Sequence, residues 1–159
     1  MFYESLKDSF MNTPYSQEHI YPIGVVARLL KISVHTIRLY ERSGLIIIKR
    51  NASGRRVFSE WDIERLRCIR RMIVREKMNI EGIRRVLSMI PCWLMFEECE
   101  TGIYQTCPAY TTSSGPCWSL ENRPPLCAEK DCYRCPVYRE PLYCDHIKNS
   151  LKLYLKEKE

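Results

Sequence analysis

No uninterrupted apolar stretch in these 159 residues approaches the roughly 20 that cross a bilayer. Met1 to Tyr21 has no basic segment followed by an apolar run, so no secretory signal is expected there. Histidine is scarce. His19, His35 and His146 are scattered and sit near no nucleophile motif, so no catalytic pair is expected and an enzyme is disfavoured. Beyond Cys92 large aliphatic residues thin out while prolines recur, and such a segment has too little apolar content to fold by itself. These absences leave a non-catalytic, non-membrane protein with an expected cytoplasmic location, and a second half that needs outside help to fold.

Charge is plentiful but uneven. The formal net charge is +6. From Arg28 to Arg85 there are 16 Lys/Arg against 6 Asp/Glu, whereas from Cys92 onward there are 8 against 10. The basic half is the candidate for phosphate contact, because displaced counterions supply much of the affinity for DNA. Cysteine is also plentiful: nine in all, eight of them between Cys92 and Cys144. In a reducing compartment such a cluster is more often a set of metal or redox ligands than a disulfide framework.

The expected division is a flexible polar leader over 1–20, a DNA-binding domain over 21–90, a Cys-rich metal-binding module over 91–144 and a C-terminal amphipathic helix over 145–159. Ile23, Val26, Ala27, Leu29 and Leu30 predict a short helix within Tyr21 to Ile32. After a tight break, Ser33 to Glu41 predicts a second, with Ser33 as N-cap. Ile37 and Tyr40 share a face that can be buried, while His35, Arg38 and Arg42 fall elsewhere. Two short helices and a turn make a helix-turn-helix, and the second suits a major groove. Gly44 ends it. Leu45 to Ile48 and Arg55 to Phe58 predict a hairpin around the turn residues of Arg50 to Gly54. Lys49, Arg50, Arg55 and Arg56 would charge its tip. Ser59 and Asp62 form a capping-box signature, and Asn79 can cap a further helix. Cys68 reads as a small packing residue.

These features occur in an order that resembles a known family. Tyr21-Pro-Ile-Gly24, Ser33-Val-His-Thr-Ile-Arg-Leu-Tyr-Glu41, Gly54-Arg-Arg-Val-Phe-Ser59 and Asp62-Ile-Glu-Arg-Leu66 together resemble the MerR family of bacterial transcriptional regulators. Asn79-Ile-Glu-Gly-Ile-Arg-Arg-Val-Leu87 adds similarity to the branch with HspR-type repressors. The resemblance covers Tyr21 to about Met89. It implies a winged helix-turn-helix that binds double-stranded operator DNA as a homodimer, with RNA polymerase a further candidate partner. Arg38 and Tyr40 would be recognition-helix contacts and Arg55 and Arg56 wing contacts. With Ser33, His35, Thr36, Arg42, Lys49 and Arg50 they complete the candidate DNA-binding set. Many members carry a second aromatic where this chain has Leu39. The family's long pairing helix is not apparent, because Pro91 and Cys92 interrupt.

The cysteine module repeats imperfectly. Cys92-Trp93, Cys99 and Cys107-Pro-Ala-Tyr110 form one copy. Cys117-Trp118, Cys127, Cys132 and Cys135-Pro-Val-Tyr138 form the other. The pattern resembles bacterial modules named for two Cys-Trp pairs. Thiolates in this number point to metal, with Cys92, Cys99, Cys107, Cys117, Cys127, Cys132 and Cys135 as candidate ligands and Cys144 as an eighth. An Fe–S cluster is favoured over zinc, and disulfides or free thiols come third. Spacing does not choose the ligand set.

The expected architecture is therefore mainly α: a winged helix-turn-helix, a metal-stabilised Cys-rich module and a short C-terminal helix. The favoured function is a DNA-binding regulator that senses redox state, oxygen or iron. A regulator with a structural zinc module and a partner-supplied signal is the alternative, and an excisionase-like or architectural DNA-binding factor is another.

Overall fold

The computed structural model describes residues 15–96, 99, 102–112, 115–123 and 125–139. Most of the expected leader, Cys144 and the helix expected over 145–159 lie outside the described residues. Contacts divide the chain into two compact units between Ile83 and Arg84, short of the 90/91 boundary expected from sequence. The described part is mainly α with one small sheet. Among the described residues, no helix is long and apolar enough to cross a membrane.

The first unit begins with strand β1 (Tyr21–Pro22), helix α1 (Ile23–Leu30) and helix α2 (Val34–Arg42). Tyr21 and Pro22 are thus strand rather than the start of the first helix. Pro22 lacks an N–H, which an edge strand tolerates. Val26, Ala27 and Leu30 are buried and Leu29 points outward, as a 3.6-residue period requires. Lys31 closes α1 in the left-handed region (φ 52°), donating to the Ala27 and Arg28 carbonyls. Arg70 donates to the Leu30 carbonyl from another helix, satisfying an acceptor that α1 leaves open. Ser33 caps α2 by accepting from the Thr36 N–H at 3.0 Å. Gly44 (φ 70°) ends it, with Gly44 N–H on the Glu41 carbonyl and Leu45 N–H on the Tyr40 carbonyl. That is a Schellman motif, in which a glycine avoids the strain a Cβ would bring.

Strands β2 (Lys49–Arg50) and β3 (Arg56–Phe58) pair antiparallel, and β1 adds to the far side of β3. The expected strand over Leu45 to Ile48 is shifted towards the turn. Leu45 and Ile46 are buried but lie outside the ladder. The Leu45 carbonyl accepts instead from Arg65 Nε at 3.0 Å. The hairpin tip is closed by Asn51, whose Oδ1 accepts from the Ser53 and Arg55 N–H groups.

Helix α3 (Glu60–Val74) supplies the floor of the unit. Its Trp61, Leu66 and Ile69, with Ile37 and Phe58, are almost fully buried. Ser59 and Asp62 form the expected capping box, each fully buried. The Asp62 carboxylate accepts from the Ser59 N–H at 2.8 Å and hydroxyl at 2.9 Å, and lies 3.5 Å from His19 Nε2. Cys68, expected as a packing residue, is buried on α3 but is disulfide-bonded. Asn79 caps α4 (Ile80–Ser88) through the Gly82 N–H at 2.7 Å.

Ser59→Ala removes a cap and strips a partner from a buried carboxylate. It is expected to cost about 1–2 kcal/mol, read as a lower urea midpoint for loss of helical signal. An unchanged midpoint would show that the box does not hold α3 in place.

Candidate nucleic-acid interface and thiol-lined cavity

On α2, the faces separate cleanly. Ile37 is fully buried and Tyr40 is 5% exposed, whereas His35, Arg38, Leu39 and Arg42 stand exposed. Spacings of three, four and seven from His35 to Arg42 put those four side chains on one exposed face. Tyr40 is therefore placed in the core and not on that face. Burial pushes its hydroxyl pKa up, with Arg70 opposing. The Ser33 hydroxyl engages both the N–H and the hydroxyl of Thr36, so this pair organises the helix start.

The hairpin's four cations do different things. Arg55 is exposed at the tip. Arg56 is half-buried and donates from Nε to Glu41 Oε2 at 2.7 Å. Arg50 lies 3.8 Å from Glu41 Oε1 and donates to the Gly54 carbonyl at 3.0 Å. Lys49 is half-buried. Glu41 thus ties the hairpin to α2, a role not read from the sequence. The signal was there: Glu41 is the one acid between Arg28 and Ser59.

The second unit is built from short turns. Buried Met95, Phe96, Cys99 and Val137 form its centre, with Trp93, Trp118 and several cysteines packed around them. The imperfect sequence repeat is also a structural repeat. Cys92 and Cys117 each follow a proline and open a 3-10 turn, Cys92–Leu94 and Cys117–Ser119. Their carbonyls accept from Met95 N at 3.0 Å and Leu120 N at 3.3 Å. Cys107 and Cys135 each precede a one-turn helix, α5 (Pro108–Thr111) and α7 (Pro136–Arg139). Proline suits the first helical position because its missing N–H would have no partner there. The Cys107 carbonyl accepts from Tyr110 and Thr111, and the Cys135 carbonyl from Tyr138 and Arg139. Trp93 meets Tyr110 edge-on at 5.0 Å, and Trp118 meets Tyr138 edge-on at 5.0 Å. A further helix, α6 (Pro125–Ala128), carries Cys127.

All seven sequence-predicted cysteines within the described residues are reduced thiols, and all seven line one cavity of about 420 Å³. Burial, with neighbouring thiols adding, pushes the Cys92 pKa from 9.0 up to about 12. The same causes push Cys117 higher still. Burial raises Cys127, opposed by Lys130, and raises Cys135, opposed by the Val137 and Tyr138 N–H groups. Arg123 donates to Cys132 Sγ at 2.6 Å, and Lys130 Nζ sits 4.1 Å over the Phe96 ring. Both cations line the cavity, and neither was singled out from the sequence. Arg123 is nonetheless the first cation after Arg85.

The donor set tests the candidate metals. Tetrahedral zinc needs thiolates about 2.3 Å from one point. Among the described residues, no three His, Cys, Asp or Glu side chains converge in that way. An Fe–S cluster takes its thiolates at separate irons, hence from points farther apart. A cavity ringed by seven thiols offers enough sulfur donors for either group.

Comparison with known proteins covers the first half. Residues 21–90 match the MerR HTH family regulatory protein profile. The putative heat shock protein HspR of Streptomyces coelicolor is 36% identical over 70 residues, 44% of this chain and 46% of that protein. The HTH-type transcriptional regulator GlnR of Bacillus anthracis is 36% identical over 70 residues, 44% of this chain and 54% of its own. The HTH-type transcriptional regulator TnrA of Bacillus subtilis is 40% identical over 52 residues, 33% of this chain and 47% of its own. The chain spans about half the length of these curated relatives. No solved structure matches it. Residues 21–90 are similar to MerR-type helix-turn-helix domains, and the family profile stops before the cysteine module.

Proposed function

We propose that this chain is a DNA-binding transcriptional regulator. Its α2 enters a major groove of duplex DNA, and its cysteine module holds an Fe–S cluster that reports redox state, oxygen or iron. The observation that carries the DNA reading is the exposed face of His35, Arg38, Leu39 and Arg42 backed by buried Ile37 and Tyr40. Arg38 has the planar fork that reads a guanine edge, and Leu39 suits a thymine methyl. Arg55 reaches phosphate from the hairpin, while Arg56 and Arg50 hold that hairpin against Glu41. GlnR and TnrA are named as HTH-type transcriptional regulators, which agrees. A homodimer on an operator, with RNA polymerase as a further partner, follows from the family resemblance.

The cargo reading rests on seven thiols around one cavity. A bound cluster would supply a reversible one-electron change and sensitivity to oxidants. The chain's own residues would supply thiolates, an apolar shield from Phe96 and Tyr104, and positive charge from Arg123 and Lys130.

Three experiments test this reading. Arg38→Ala should weaken binding to a duplex selected from a random library by about 1–3 kcal/mol. Unchanged affinity would remove Arg38 from the interface. Glu41→Ala removes a negative charge beside the DNA, so simple electrostatics predicts tighter binding. Loss of the tie to Arg56 predicts weaker binding, and weaker binding is the expected result. Protein isolated without oxygen should contain iron and acid-labile sulfide. Stoichiometric zinc without sulfide would make the module structural and move the signal to a protein partner.

A further inference from the structure

The cavity holds seven thiols, but a cubane cluster or a tetrahedral ion takes four. The structural repeat divides the seven. We infer that the metal group in this cavity is ligated by Cys92, Cys107, Cys117 and Cys135, two equivalent thiols from each copy of the repeat, and that Cys99, Cys127 and Cys132 are not ligands. This inference rests on the reading that the module binds metal, and it adds the ligand set, which sequence spacing leaves open.

The four sit in two matched local frames. Cys92 and Cys117 each follow a proline, open a 3-10 turn and precede a tryptophan. Leu94 N donates to the Pro91 carbonyl at 3.0 Å and Ser119 N to the Pro116 carbonyl at 2.9 Å. Cys107 and Cys135 each sit before a proline, and each donates its own N–H to the residue three positions back, Tyr104 at 2.9 Å and Cys132 at 3.2 Å. The tryptophan of one pair then packs edge-on against the tyrosine that follows the other pair, at 5.0 Å in both copies. Each copy thus holds two thiols on backbone fixed by a proline, a turn hydrogen bond and an aromatic contact. Such fixing is what a ligand site needs, because thiols held in place lose little freedom on binding.

The other three have no such match. Six residues separate Cys92 from Cys99, but nine separate Cys117 from Cys127. Cys99 is 8% exposed in the module's core, whereas Cys127 is half-buried on α6. Cys132 occupies the turn position that Tyr104 holds in the first copy, so it has no counterpart there. On binding, each ligating thiol gives its proton to solvent and its lone pair to metal.

The test is iron, zinc and acid-labile sulfide per chain in full-length protein isolated without oxygen. A triple variant, Cys99→Ala with Cys127→Ala and Cys132→Ala, should keep the wild-type metal content and absorption spectrum. Cys92→Ala, Cys107→Ala, Cys117→Ala and Cys135→Ala should each lose most of the metal while residues 21–90 keep their helical signal. Full metal in any of the four single variants overturns the assignment. So does loss of metal in Cys99→Ala, Cys127→Ala or Cys132→Ala alone. Zinc without sulfide in the wild type would end the Fe–S reading, yet the same variants would still decide the ligand set. A wild type without metal would end both.

Discussion

Glu41 holds two parts of the first unit in one arrangement. Its two carboxylate oxygens face Arg56 at 2.7 Å and Arg50 at 3.8 Å. An exposed hairpin of two- and three-residue strands has little intrinsic stability. Anchoring it to the last turn of α2 fixes where Arg55 stands relative to Arg38 and Arg42. The ion pair is half-buried, so water screens it only in part. Its value lies in geometry, since under the proposed function α2 and the hairpin can meet one duplex together only if their separation is set in advance. The same logic recurs below α2, where Ile37 and Tyr40 seat the helix and the Ser59–Asp62 box anchors the helix beneath.

The second unit solves a different problem. Its described elements are single turns, and its apolar centre is small. Proline before or after a cysteine stiffens each turn, and Trp–Tyr edges join the turns in pairs. What remains is a cavity whose walls carry thiols with pKa values raised by burial. Buried neutral thiols stabilise a fold weakly. A ligand that takes their protons would couple its own binding energy to folding.

Much of the first unit was legible in the sequence because its signals are local. The Ser33 cap, the Gly44 stop, the Ile37/Tyr40 face and the Ser59–Asp62 box all depend on residues within a few positions. Signals failed where tertiary contacts decided. Leu45 to Ile48 reads as a strand by composition, but Leu45 and Ile46 are more useful in the core, and the Leu45 carbonyl is taken by Arg65. Tyr21 and Pro22 read as helix, but β3 offers them a ladder. Arg56 reads as a phosphate contact like Arg55, and only the fold shows that Glu41 holds it. In the cysteine module the repeat was legible, while the cations Arg123 and Lys130 at its cavity were not. Sequence spacing does not say which turns face each other.

The most direct measurement compares DNA affinity with the cavity loaded and emptied. Protein isolated without oxygen, and the same protein after chelation under reducing conditions, would be titrated on one selected duplex at one salt concentration. A regulator whose cysteine module governs its DNA-binding domain should show a change of at least about fivefold, the lower range of typical coupling between sites. Equal affinity for the two states, with metal analysis proving that one is loaded and the other empty, would contradict a sensing role and leave the module a structural part of a DNA-binding protein.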